Sequence, residues 1–186
     1  MAFRGFSTVS LERKGDFVQI FPKSVSEADK KVFDDISRLV EVLREKSKDD
    51  PENVADGISL LKALRKDIYE ELNQIQHEGL AVRAVEWLRE NGYGDQKLEW
   101  FWNPRQTGDD KEPDVRAVRG GVIMASAEAS ASESPKGSID THMASTLNKL
   151  SKMDGEKFYF VRTGEMEKRA ETKIEKSSWN IRVVKL

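Results

Sequence analysis

Between Ser24 and Leu88 the apolar residues recur every three to four positions. Val32, Phe33, Ile36, Leu39, Val40 and Leu43 place one apolar face on a helix that Ser24 or Ser26 can cap and that runs to about Lys48. Lys48-Asp49-Asp50-Pro51 breaks it. A second helix carries Val54, Ile58, Leu61, Leu64, Ile68, Leu72 and Ile75 on a stripe. Two amphipathic helices joined by a short turn predict an antiparallel pair. Their stripes must bury against each other, against the rest of the chain, or against a second copy. From about Glu78 a further helical segment carries Leu80, Ala84, Val85 and Leu88, and ends at Asn91-Gly92-Tyr93-Gly94, where glycine suits a left-handed cap.

On either side of this helical region the period shortens. Phe3 to Leu11 and Asp16 to Phe21 read as a hairpin around Arg13-Lys14-Gly15, and Pro22 stops its second strand. Leu98 to Trp102 is strand-like, Thr107 to Pro113 is a polar loop, and Asp114 to Val118 is a short strand. After the tight turn Gly120-Gly121, Val122 to Ala129 reads as a central strand. A helix from about Ser138 to Lys152, a strand Lys157–Val161, a helix from Glu165 to Lys176 and a strand Ile181–Val184 complete the chain. This alternation predicts an α/β fold with some strands parallel, a mixed sheet flanked by helices. The division is residues 1–75, the hairpin and helical extension, and residues 76–186, the sheet domain.

Composition narrows the function classes. Across 186 residues, 31 basic and 33 acidic side chains leave a net charge of −2, so bulk charge does not mark a nucleic-acid coat. Without cysteine there is no disulfide scaffold, zinc-thiolate site or cysteine nucleophile. No apolar run approaches a membrane span and the N-terminus is not a signal peptide, so a soluble, cytoplasmic protein with no membrane partner is expected. The charge is uneven, with 6 basic and 10 acidic residues in 25–60 but 11 basic and 7 acidic in 134–186. The C-terminal part is therefore the better candidate for meeting phosphates, against the plainer reading of an ordinary solvated surface.

The candidate chemistry lies around the Gly120-Gly121 turn. Asp114 opens one strand and Glu128 ends the next, so a hairpin between them brings the two acids together. Glu128 closes an otherwise apolar strand, where a buried charge is costly unless compensated. Two convergent carboxylates are compensated by a hard cation such as Mg²⁺. Such a cation lowers the pKa of a bound water and neutralises a phosphodiester in the transition state.

This arrangement resembles the PD-(D/E)xK nuclease superfamily, the restriction-endonuclease-like fold. The match runs from about Gln76 to Leu186: a helix bearing an acid, Pro113-Asp114, a β-turn, a strand ending in Ala127-Glu128-Ala129-Ser130, and the helix of Ile139 to Leu150. The resemblance implies that Asp114 and Glu128 hold Mg²⁺ (or Mn²⁺) with help from the Ala129 carbonyl. It implies that Glu78, or its alternative Glu86, orients a metal-bound water or a second metal. Ser130 departs from the pattern, which places lysine there to activate water and neutralise the attacked phosphate. Lys136, at the entrance to the next helix, is the nearest basic substitute.

The other candidates each have two readings. Lys168, Arg169, Lys173 and Lys176 form a basic helix that contacts the DNA backbone if the resemblance holds, and otherwise pairs with Glu165, Glu167 and Glu171. Trp100 and Trp102 share one side of a strand and either stack on bases or, as expected here, fill the core beneath the N-terminal helices. His142 reads as a general base or, as expected here, a surface histidine, with His77 no stronger, and Asp109, Asp110 and Glu112 read as a cation site or, as expected, turn residues. The resulting expectation is a Mg²⁺-dependent DNA endonuclease of restriction or defence type, dimeric through residues 26–75. The alternatives are a catalytically degenerate module that only binds nucleic acid, and a protein-interaction subunit.

Overall fold

A computed structural model describes residues 19–20, 24–103 and 112–186. The element order is β1 (Gln19–Ile20), α1 (Val25–Lys46), α2 (Val54–Glu90), β2 (Glu99–Trp102), β3 (Val115–Arg119), β4 (Val122–Ser130), α3 (Ser138–Ser151), β5 (Glu156–Val161), α4 (Gly164–Ser177) and β6 (Arg182–Lys185). The chain is α/β, as the alternating periods predict. Gln19–Ile20 falls in the second strand of the predicted N-terminal hairpin; its first strand and turn lie outside the described residues, as does most of the Thr107–Pro113 loop.

Capping explains the helix starts. Ser24 accepts the Glu27 N–H at 3.2 Å and Asn53 accepts the Asp56 N–H at 3.0 Å, each satisfying a first-turn donor. Sequence periodicity divides the chain near Ile75, but α2 is one continuous helix of 37 residues. Nothing between Ile75 and Leu80 breaks it: Gly79 lacks a side chain but has room, a Cβ there meeting Val32 only at ordinary contact distance. Position 75 therefore lies inside a helix shared by the N-terminal extension and the sheet domain. The first half of α2 pairs with α1. The second half buries Leu80, Ala81, Val82, Ala84, Val85 and Leu88.

The sheet order is β1-β2-β3-β4-β5-β6. Strands β1 to β4 run as an antiparallel meander, and β4-β5 and β5-β6 are parallel. The helices α3 and α4 supply the two crossovers that parallel neighbours require. The two faces of the sheet carry separate cores. Phe158 and Phe160 point to the α2 side, where Trp87 meets both rings at 6.1 and 5.7 Å. Their neighbours Tyr159 and Val161 point to the opposite side, against Met143, Leu147 and Leu150 of α3 and Met166, Ala170 and Ile174 of α4. Trp100 and Trp102 are buried in the α2-side core, as expected. Among the described residues no helix is long and apolar enough to cross a membrane.

Candidate active site

The turn between β3 and β4 places the acids. Gly120 and Gly121 both have positive φ, 55° and 82°, the conformation of a two-residue turn that matches the strand twist. Val115 pairs with Ala127, so Asp114, one residue before β3, lies beside Glu128 on β4. Both side chains are buried.

Neighbouring residues from three helices surround the pair. Asp114 Oδ2 accepts the Ala129 N–H at 2.7 Å and lies 3.1 Å from His77 Nε2. Lys149, three turns into α3, brings Nζ to 2.5 Å from Glu128 Oε1 and donates to the Glu112 carbonyl at 3.2 Å. Beside His77, the buried Glu78 accepts from Lys31 of α1 at 2.7 Å, and Lys31 also reaches Asp35 at 3.1 Å. The cluster thus joins α2, the β3–β4 hairpin and α3, and Lys31 ties α1 to it.

Two like charges in a dry site shift each other. Burial and the neighbouring Asp114 push the Glu128 carboxyl up to about 8, although Lys149 and His77 oppose this. Burial alone would raise Asp114 as well, but the charge and hydrogen bond of His77, the Ala129 N–H and Lys149 together hold it below the ordinary carboxylate value. Burial pulls His77 down, yet Asp114, Glu128 and Glu78 outweigh it and raise the imidazole. Without a cation, Asp114 is the ionised acid and Glu128 the protonated one near neutral pH. Beside Glu128, the hydroxyl of Tyr159 lies within hydrogen-bonding reach of Ser130, and burial raises that phenol to about 12.

The donor set fits a hard divalent cation. Asp114 Oδ1 is buried with no hydrogen bond, and Glu128 Oε1 is buried with no aligned one, although Lys149 Nζ lies 2.5 Å from it. Mg²⁺ keeps several waters and commonly takes one or two carboxylates, so a two-acid set is within its habit. Among the described residues no group of three or more His, Cys, Asp or Glu forms a fuller cage.

Of the residues named from sequence, the structure brings Asp114, Glu128 and Ala129 together; Glu78 adjoins them only through its chain neighbour His77 and is bonded to Lys31. Glu86, the alternative to Glu78, is exposed on α2. Ser130 ends β4 beside Tyr159. Lys136 is exposed in the connection before α3; the basic group at the acids is instead Lys149. The proposed DNA-contacting helix is partly engaged within the protein. Arg169 makes two bonds to Asp140, at 2.7 and 2.9 Å, and Lys173 adds one at 3.1 Å, whereas Lys168 is exposed. His77 and Lys149 carry no local sequence signal that separates them from surface residues. The adjacency of His77 to Glu78 was the one available hint.

Comparison with known proteins gives no match: no family model, no curated protein and no solved structure is significantly similar to the chain.

Proposed function

We propose that this protein is a divalent-metal-dependent DNA endonuclease with a restriction-endonuclease-like core, of restriction or defence type. The observation that carries the reading is the pairing of Asp114 with Glu128 across the hairpin, each with a buried carboxylate oxygen lacking an aligned hydrogen bond, beside Lys149. The order helix, antiparallel meander, helix, parallel strand supports the fold reading. Mg²⁺ or Mn²⁺, when bound, supplies an activated water and charge neutralisation at the phosphodiester. Asp114 and Glu128 hold the cation, and the Ala129 N–H fixes the Asp114 carboxylate. Lys149 places a positive charge where Ser130 cannot, and is the residue to receive an anionic phosphate. His77, with one ring nitrogen facing Asp114, keeps the other for a proton at the partly exposed edge of the cluster.

The test is cleavage of plasmid, single-stranded DNA and RNA with Mg²⁺ or Mn²⁺ titrated in, beside Asp114→Ala and Lys149→Ala. Cutting of DNA that needs the metal and disappears in Asp114→Ala is expected. Equal cutting by both proteins sinks the reading. One observation favours a second reading, nucleic-acid binding without cleavage: Lys149 already occupies Glu128 Oε1 within the protein. That reading predicts salt-dependent DNA binding with no cutting, and gain of cutting in Ser130→Lys.

A further inference from the structure

The helical hairpin has two apolar seams, and the described residues fill only one. Ala28, Val32 and Leu39 of α1 turn toward α2, where Ile75 is buried. A second set stays open: Phe33, Ile36 and Val40 on α1, and Val54, Ile58, Leu61 and Leu72 on α2 with Tyr69 at its edge. Phe33 is 65% exposed, Val54 80%, Leu61 66% and Tyr69 65%. On α2 the set follows steps of four and three, the spacing of a helix–helix seam, with the exposed Arg65 taking the position between Leu61 and Tyr69.

Helix geometry fixes where these stripes face. At 3.6 residues per turn, each open stripe lies about a quarter turn round its helix from the filled seam, in the same rotational sense on both. Because α1 and α2 run antiparallel, the same sense puts both stripes on one side of the hairpin. The result is an apolar face two helices wide, crossed on α2 by Arg65. Seams about a quarter turn apart are what each helix of a four-helix bundle needs, one for each neighbour. A third helix lying in the groove calls for seams only about a sixth of a turn apart.

We infer that a second copy of this chain covers the face, two hairpins forming a four-helix bundle about a two-fold axis. The occupant must present an apolar surface two helices wide, and this chain carries one. A two-fold arrangement buries both stripes of both copies and leaves none open. The area agrees: the eight open side chains expose on the order of 700–800 Å² per copy, close to the ~800 Å² per partner of a stable interface. A monomer seldom leaves so large an apolar patch in water.

The inference is tested on the full chain by sedimentation and light scattering from about 1 to 100 μM. A mass twice the 21.2 kDa of one chain is expected. Ile58→Glu with Leu61→Glu should weaken association at least a hundredfold and leave the circular dichroism unchanged, since both side chains are exposed in the single chain. Val42→Glu is the control: Val42 is exposed, but on the side of α1 away from Val40, and this variant should keep the double mass. As a milder probe, a nitroxide on Leu61→Cys, in a chain without other cysteine, should show a dipolar distance that vanishes on dilution with unlabelled chain. A single-chain mass throughout the range overturns the inference, whether solvent, another segment of the chain or a different protein covers the face. So does a dimer that survives the paired glutamates or fails equally with Val42→Glu. These outcomes are independent of DNA cleavage.

Discussion

Replacing Glu128 with glutamine removes a buried acid while keeping its size, and the resulting stability change should depend on pH. The folded protein holds this carboxyl at about 8, against an ordinary 4.5, because of burial and the adjacent Asp114. A group with a raised folded-state value binds its proton more tightly in the native state than in the unfolded chain. Its favourable contribution is full below the unfolded value and is lost as pH rises through the folded one. Moving a carboxyl from 4.5 to about 8 corresponds to about 5 kcal/mol once both states are ionised. Glutamine never ionises and escapes this cost. In EDTA, Glu128→Gln should match wild type to within about 1 kcal/mol at pH 5 and exceed it by about 3 kcal/mol at pH 7 and about 5 kcal/mol at pH 9. Urea denaturation followed by circular dichroism at the three pH values measures this directly. A difference that is flat with pH, or a variant less stable than wild type at pH 9, refutes the argument that Glu128 is a desolvated acid opposed by Asp114.

Two further predictions concern the frame around the cluster. Lys31→Met leaves Glu78 buried without its cation and should cost about 3 kcal/mol in urea denaturation, most of it recovered when Glu78→Gln is added. Equal destabilisation with and without Glu78→Gln would show that Lys31 acts through packing alone. Gly155→Ala should cost about 2 kcal/mol or more, because Gly155 has φ 75° and a Cβ there falls 2.7 Å from the Met124 carbonyl carbon. A melting temperature within about 1 °C of wild type would contradict that close approach.

The sequence makes the acid pair legible because hairpin geometry is local. Two glycines fix the turn, so Asp114 and the end of β4 can be brought together by counting, but simple counting sets Asp114 opposite Ala127; a β-bulge between Ala117 and Val118 moves the register by one residue and puts Asp114 beside Glu128. Helix periodicity is local too, and it finds α1, α3 and α4 within a residue or two of their observed ends. It fails at Ile75, where the apolar face of α2 changes partner from α1 to the sheet while the backbone continues unbroken. The change of stripe reads as the end of a helix. Lys149 is hidden for another reason. Its Nζ reaches Glu128 only because α3 crosses back over β4, and Lys136, nearer in sequence, is directed elsewhere. The same holds for Arg169 and Lys173, whose charges look available for phosphate until α3 brings Asp140 against them.

The energetic logic of the cluster also separates its residues. A fold under selection for stability alone gains nothing from setting two acids side by side in a dry site, where one must hold its proton near neutral pH. Glu78 is different: it is buried, but Lys31, which it shares with Asp35, bonds it at 2.7 Å within the chain. Asp114 is compensated on one oxygen, by His77 and the Ala129 N–H, and keeps the other without a partner. Glu128 meets Lys149 by charge but without an aligned hydrogen bond. Among the described residues, the buried carboxylate oxygens without an aligned hydrogen bond therefore belong to the two acids that the hairpin register places side by side, and not to the acid on the helix. On the proposed reading, this asymmetry ranks Asp114 and Glu128 above Glu78 as candidates to hold a cation. It assigns Glu78 the task of holding α1 to α2 through Lys31, next to His77.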